Sequence, residues 1–382
     1  MIEPLRGRKR THRCGDLRPS DEPRRVCLMG WAHRVRDHGG VLFLDLRDRY
    51  GITQVVFRPE RLGETTMERA RAIGSEFVLL VEGLVQRRPS GSENADLSTG
   101  GVEVEADSLA ILNTSRTPPF PLDESATASE DLRLKFRYLD LRREPLKQNI
   151  IFRHSMVLTV RDFLSEQGFL EIETPLLVKP TPEGARDYVV PARLHPGRFY
   201  ALPQSPQLYK QILMVAGFDR YFQVAHCLRD EDLRADRQPE FTQIDLEMSF
   251  VTEDDVFGVV EGMLQAVFRR DLERDLAAPF PRVTYDEAMA RFGTDKPDLR
   301  IPFEIRDVTE VAGSSAFEVF RAAKERAPDS MTGALAVPGL AAASRREIDG
   351  FEAAAKQSGA AGLAWARVKG GALEGGVAKH FS

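Results

Sequence analysis

The chain has 382 residues, 42% of them hydrophobic and 29% charged, with a formal net charge of −5. That length suits two or three domains at roughly 100–200 residues each, and the acidic balance excludes a uniformly basic nucleic-acid coat while leaving room for a local basic face. The three cysteines, Cys14, Cys27 and Cys227, show no CxxC spacing, which argues for a reducing, cytoplasmic setting rather than a disulfide framework or zinc site; no stretch approaches ~20 consecutive apolar residues, so no membrane span is expected.

The first thirteen residues carry Arg6, Arg8, Lys9, Arg10 and Arg13. No apolar run follows them, so they are not a signal peptide. They read as a solvated tail, with phosphate contact as the alternative. Candidate strands then fall at 26–36, 41–47, 52–57, 77–85 and 102–111, punctuated by Gly39-Gly40, Tyr50-Gly51 and the 89–91 turn. Such a run of short strands suits a barrel of the OB type, which sets a first domain at 1–112. Leu42, Leu44 and Leu46 should point inward and leave Phe43 outside beside Arg36 and Arg47. That is what a base-stacking platform needs, although a partly buried surface Phe fits the same pattern.

Residues 113–143 read as a linker, rich in Pro, Ser and Thr at first, including Pro118, Pro119 and Pro121. Thr127 and Glu130 fit a capping box that opens a charged helix through Arg143. A second domain spans 144–294. Ile150, Val157, Val160 and Leu164 recur at helical spacing, with Gly168 as the stop. Leu170 and Ile172 alternate with Glu171 and Glu173 in a strand that ends at Pro175. After Asp295 the texture shifts toward Ala, Gly and Ser, and 295–382 reads as a third, smaller unit.

The densest chemistry lies between Tyr221 and Phe250. Two strand-like runs flank the charged stretch 229–240. In the second run Ile244, Leu246, Met248 and Phe250 share one face, while Gln243, Asp245, Glu247 and Ser249 share the other. The polar face, flanked by Arg229, forms a floor for a polar ligand. Joining a carboxylate to the α-phosphate of ATP brings two anions together. It calls for a guanidinium fork, cations and metal rather than a nucleophilic side chain. Arg229 suits that task, and a surface hairpin with salt bridges accounts for the same residues. The runs 181–187 and 203–210 are rich in hydrogen-bonding groups, and Lys210 offers a point charge for a carboxylate. Ordinary turns are the plain alternative for both runs.

Taken together these residues resemble the class II aminoacyl-tRNA synthetases, specifically the bacterial-type aspartyl-tRNA synthetases. The resemblance covers essentially the whole chain. It rests on Gly30-Trp31, the run 43–48 (FLDLRD), the run 137–143 (RYLDLRR), 181–187, 201–210, and 229 through 245. It implies an α+β multidomain protein: an N-terminal OB-fold β-barrel, a class II antiparallel sheet flanked by helices, and part of an inserted α+β domain. The implied activity is ATP-dependent conversion of L-aspartate to aspartyl-adenylate and transfer to tRNA(Asp), with ATP and Mg2+ as cofactors. By resemblance, Arg229 bridges the amino-acid carboxylate and the α-phosphate, and Glu231 and Gln238 contact ATP. Glu183, Ser205, Gln207 and Asp245 surround the aspartate, and Lys210 faces its side-chain carboxylate. Arg36, Phe43 and Gln54 match anticodon-reading positions. His38 and Gly91 resemble enzymes that also charge tRNA(Asn). The helix and strand ending at Pro175 imply a homodimer interface.

The sequence departs from the family pattern in three places. Leu228 stands where an aromatic is usual before the arginine at position 229, and Val35 replaces a common basic residue in the anticodon-facing strand. No Gly-rich motif 3, with its ATP-clamping Arg, is found before Ser382. On that ground the chain alone is expected to have little synthetase activity. A truncated paralogue that binds tRNA through its barrel without catalysis is the alternative.

Overall fold

Period-two alternation shapes the N-terminal region: Leu42, Leu44 and Leu46 are buried and the residues between them face outward or sideways. The computed structural model describes residues 2–123, 127–233, 237–326, 329 and 331–381. In it β1 (Arg25–His38), β2 (Val41–Asp48), β3 (Gly51–Phe57), β4 (Val78–Arg87) and β5 (Val102–Asn113) close a barrel in the order β1-β2-β3-β5-β4. Only the β3–β5 contact is parallel. Leu28, Leu44, Val55, Phe57, Leu79 and Val104 fill the interior. A helix that the strand pattern does not announce, α1 (Glu64–Arg71), adds Met67 and Ala70 to that core. Val35 also packs against the core, opposite Leu44. Its apolar character therefore serves the barrel.

The basic N-terminal segment is not a solvated tail. The Glu3 N–H donates to the Ile111 carbonyl at 2.8 Å and the Thr11 N–H to that of Cys27 at 2.9 Å. Cys14 and Leu17 are fully buried. Asp48 fastens the segment to the β2–β3 turn: Oδ2 accepts from the Cys14 N–H at 3.0 Å and Oδ1 from the Tyr50 N–H at 2.7 Å. The two backbones run so close that a Cβ on Gly15 would stand 2.1 Å from the Tyr50 carbonyl oxygen. Only glycine fits there.

Arg47 does not flank Phe43 on the surface as expected. It is buried and donates to both Glu76 oxygens, at 2.9 and 2.8 Å, and to His33 Nδ1 at 2.7 Å. Burial, and then the Arg47 charge, hold the His33 imidazole below its ordinary range. Arg142, from the linker, donates to the same Glu76 carboxylate and lies 4.8 Å over the Trp31 ring. Barrel and linker thus share one carboxylate.

The linker helix starts later than the Thr127 signal suggests. Ser129 is the cap, its Oγ accepting from the Leu132 N–H, for α2 (Glu130–Lys135). Phe136, at φ −115°, breaks the run before α3 (Arg137–Asp140). Leu139 turns in with Phe120 and Leu122 to make a small core of its own.

Beyond the linker, α4 (Glu144–Glu166) carries Pro145 in its first turn, where no N–H is needed. There follow β6 (Leu170–Glu171), β7 (Val189–Pro191), β8 (Phe199–Ala201), α5 (Gln207–Val215), β9 (Arg220–Leu228), β10 (Glu240–Met248) and α6 (Glu253–Leu272). The main sheet has the order β10-β9-β6, with β9 and β10 antiparallel and β6 parallel to β9. Ile244, Leu246 and Met248 pack with Phe222 against Val160 and Leu164 of α4 and Met263 and Val267 of α6. Asp271 locks the two helices by accepting from Ser155 and Thr159 hydroxyls at 2.5 and 2.8 Å. Phe250 departs from its expected face: it lies past the strand end at φ 58° and is 99% exposed.

Residues Met1–Ala278 and Pro279–Ser382 form separate compact units. The second begins ahead of the composition change at 295, because α7 (Tyr285–Phe292), opened by a Thr284–Glu287 capping box, packs with β11 (Ile305–Asp307). It continues through α8 (Thr309–Ser314), α9 (Glu318–Arg326), β12 (Gly333–Leu335), α10 (Arg345–Gln357), β13 (Arg367–Lys369) and β14 (Ala372–Glu374). No helix among the described residues is long and apolar enough to cross a membrane.

Removing one partner of a buried ion pair strands the other. Glu76→Ala should therefore cost about 3–5 kcal/mol in urea unfolding. A loss under about 1 kcal/mol would mean that Arg47 finds water or another partner instead.

Candidate functional site

The runs 181–187 and 203–210, which looked like separate turns, meet each other and the hairpin of Arg229 in one place. The side chain of Gln204, almost wholly buried, accepts from the Ala185 N–H at 3.1 Å and donates to the Ala185 carbonyl at 2.9 Å and Asp187 Oδ1 at 2.6 Å. Ser205 Oγ donates to Glu183 Oε2 at 2.5 Å, and the Gln207 N–H donates to Ser205 Oγ at 3.3 Å. The Leu228 N–H donates to the Pro203 carbonyl at 2.9 Å, and the Asp230 N–H to that of Arg186 at 3.0 Å. The loops 181–187 and 203–207 are thereby stitched to the mouth of the β9–β10 hairpin.

The hairpin register sets the floor. Asp245 stands opposite Gln223, and Glu247 opposite Tyr221. Alternation then puts Gln223, Gln243, Asp245 and Glu247 on one face, with the Arg229 position just beyond the strand end on that same face. Lys210, reaching in from α5, is buried and donates to Asp245 Oδ1 at 2.8 Å, with Glu247 Oε2 at 3.3 Å. Burial pulls the Lys210 ammonium down, but the hydrogen bond and charge of Asp245, helped by Glu247, outweigh it and hold it above the ordinary lysine range. The second Asp245 oxygen is buried, on the Tyr221 side of the floor. Burial, then the Asp245 charge, push the Cys227 thiol up to about 11 and raise the Tyr221 hydroxyl beyond its usual range.

Arg229 follows β9 and donates its N–H to the Pro239 carbonyl at 2.8 Å. Its guanidinium lies 5.1 Å over the Phe241 ring, and Nε reaches the Gln204 carbonyl at 3.4 Å. It lines an open cavity of about 350 Å³ together with Glu231, Arg237, Gln238 and Phe241. Glu231 accepts from Arg237 at 3.3 Å. Arg234 to Asp236, inside the charged stretch 229–240, lie outside the described residues.

On the barrel, Arg36 pairs across β1–β2 with Phe43, and Asp45 across β2–β3 with Gln54. Arg36 donates to Asp45 Oδ1 at 2.7 Å and Gln54 to Glu103 Oε2 at 2.8 Å. Phe43 is partly buried, and the His38 ring meets it edge-on at 5.5 Å. Gly91 sits in the β4–β5 connection at φ 85°, its N–H donating to Glu93.

Sequence reasoning did not single out Gln204, Phe241 or Glu103. Gln204 lay within a recognised run, but nothing local marks it as the joint between two loops. Phe241 opens the second strand, and only the hairpin register brings its ring beneath Arg229.

The sequence profile of the tRNA synthetases class II (D, K and N) matches residues 129–357, and that of the OB-fold nucleic acid binding domain matches 26–112. An aspartate–tRNA(Asp/Asn) ligase from Rubrobacter xylanophilus is 57% identical over 98% of this chain, and one from Desulfotalea psychrophila is 51% identical over all of it. The chain spans 62% and 63% of those relatives' lengths. Among solved structures, asparaginyl-tRNA synthetase from Pyrococcus horikoshii, complexed with asparaginyl-adenylate, aligns at TM-score 0.64 and 27% identity over 73% of this chain and 65% of its own.

The Lys210–Asp245 pair gives a pH-resolved test. A raised lysine contributes fully below its ordinary range and fades only as pH climbs past it. Lys210→Met leaves a buried carboxylate without its cation and should cost about 3–5 kcal/mol at about pH 8. The loss should shrink only above about pH 10.4, the ordinary lysine value, as Lys210 of the unaltered chain gives up its proton. Urea unfolding on either side of that value checks this, and an equal loss at each would contradict it.

Proposed function

The chain belongs to the class II aminoacyl-tRNA synthetases of the aspartate, lysine and asparagine group, and from this premise we propose that it serves an aspartate–tRNA ligase. The observation that carries this reading is Lys210, a buried cation set among acids in the floor of the site. It suits a carboxylate side chain, and it repels lysine and gains little from a neutral amide. The carboxylates of Asp245 and Glu183, with Ser205 and Gln207, suit the substrate ammonium.

The chemistry follows from placing two anions side by side. An oxygen of the aspartate α-carboxylate attacks the α-phosphorus of ATP, the bond from that phosphorus to the α,β-bridging oxygen breaks, and pyrophosphate leaves with the bridging oxygen. Charge grows on the α-phosphoryl oxygens, and the fork of Arg229, ordered on Phe241, bridges them and the carboxylate. Glu231 and Gln238 contact the nucleotide. A terminal adenosine hydroxyl of tRNA then attacks the activated carbonyl, and AMP departs. Magnesium would arrive with the ATP phosphates, as it usually binds phosphates and one or two carboxylates. Among the described residues no cluster of three or more His, Cys, Asp or Glu is set to cage it.

The barrel would read the anticodon with Phe43, Arg36 and Gln54, in the cytoplasm. Both relatives' names cover tRNA(Asp) and tRNA(Asn), and His38 beside Phe43 supports the same scope. A homodimer is supported by the exposed apolar residues of α4, Ile150, Ile151, Phe152 and Leu158, with Leu170 of β6.

Three measurements test this. In a chain carrying the whole length of its relatives, ATP–pyrophosphate exchange should depend on aspartate and not on asparagine or lysine, and Arg229→Ala should lower it by about 10²–10³-fold. Transfer of the activated aspartate should then reach both tRNA(Asp) and tRNA(Asn). Preferential exchange with asparagine or lysine would overturn the substrate assignment. In sedimentation, Ile151→Asp with Phe152→Asp should convert a dimer to monomer, and an unchanged mass would move the interface elsewhere.

A further inference from the structure

The basic N-terminal segment takes no part in that chemistry, yet it is built into the barrel. Its Arg13 guanidinium lies 4.0 Å from the centroid of the Tyr50 ring, with that of Arg49 at 4.6 Å and that of Arg10 at 5.9 Å. Arg49 also donates to the Tyr50 hydroxyl. Tyr50 is exposed at the tip of the β2–β3 turn. Arg10 is offset by Asp48 at 3.3 Å. The nearby Asp16 spends a carboxylate oxygen on the backbone N–H of Arg13, at 3.2 Å. Among the described residues the side chains of Arg13 and Arg49 form no ion pair.

Two guanidinium groups on one ring repel each other. The electron-rich ring face offsets part of that repulsion, and Asp48 with Gly15 holds the segment there through the backbone. The result is a pre-ordered pair of forks with unspent N–H groups, so little ordering cost remains when an anion arrives. A phosphodiester matches such forks in charge and geometry.

The cluster is also remote from the Phe43 face. Phe43 and Tyr50 lie toward opposite ends of β2, about 20 Å apart at ~3.3 Å per residue. One nucleotide cannot touch both.

We propose that Arg13 and Arg49, ordered on Tyr50, grip the phosphate backbone of the RNA that the barrel binds, at a contact separate from the Phe43 face. The proposal rests on the reading of the barrel as tRNA-binding. It adds an RNA contact that carries no sequence information and fixes how the bound strand lies.

The test is the affinity of the full chain for tRNA(Asp) as salt is raised from about 50 to 200 mM. Arg13→Gln with Arg49→Gln should weaken binding and reduce the slope of log affinity against log salt by about one to two. The same loss should appear with an unrelated tRNA. Arg49→Gln alone leaves the N-terminal segment untouched and should remove about one from the slope. Phe43→Ala should instead weaken binding with the slope kept. If the arginine variants keep wild-type affinity and slope while Phe43→Ala weakens binding, the proposal is overturned and the barrel reading stands. If the wild-type chain binds no tRNA, both fall.

Discussion

The ion pair between Lys210 and Asp245 is the contact on which the proposed site is built. Buried pairs add little net stability compared with apolar packing, because desolvation cancels most of the attraction. What the pair supplies is position. Lys210 can reach Asp245 only if α5 lies against the β9–β10 hairpin. Asp245 faces Lys210 only if Ile244 and Leu246 turn the other way, onto α4 and α6. The pair therefore ties the polar floor to the apolar core beneath it, and Gln204 and Ser205 close the ring of loops around it.

The barrel uses the same device. Asp48 serves the turn, the N-terminal segment and Arg10 together. Glu76 serves Arg47 and Arg142. Each carboxylate has more than one donor, so the cost of burying it is spread over several hydrogen bonds. The Glu76 junction also explains how a linker of two short helices keeps contact with the barrel: Arg142 is anchored at once by charge and by the Trp31 ring.

Strands, the inward leucines and the polar face of β10 were legible in the sequence because alternation is a local property. The stop at Gly168 was legible for the same reason, since its positive φ of 80° is what glycine tolerates. Other features were not. Thr127 and Ser129 both offer a hydroxyl ahead of Glu130, and only the folded backbone selects Ser129. Phe250 continues the apolar period on paper, but a left-handed residue ends the face before it. The N-terminal arginines read as a tail because charge runs are usually solvated. The signal against that reading was Cys14 and Leu17 just behind them, two apolar residues that needed a core.

By itself the sequence determined the barrel, the apolar and polar faces of the β10 strand, and, by resemblance, the family whose profile the chain matches. Those follow from periodicity and from long matching runs, which need no knowledge of distant partners. Only the tertiary structure decided which charges meet. Arg47 looks like a surface neighbour of Phe43, yet it is buried against Glu76. Lys210 lies 35 residues from the Asp245 it pairs with, and Arg13 is held on Tyr50 by a close backbone approach at Gly15. Coulombic and hydrogen-bonded pairing acts through space at a few ångströms, so its partners are fixed by the packing of the whole unit and not by order along the chain.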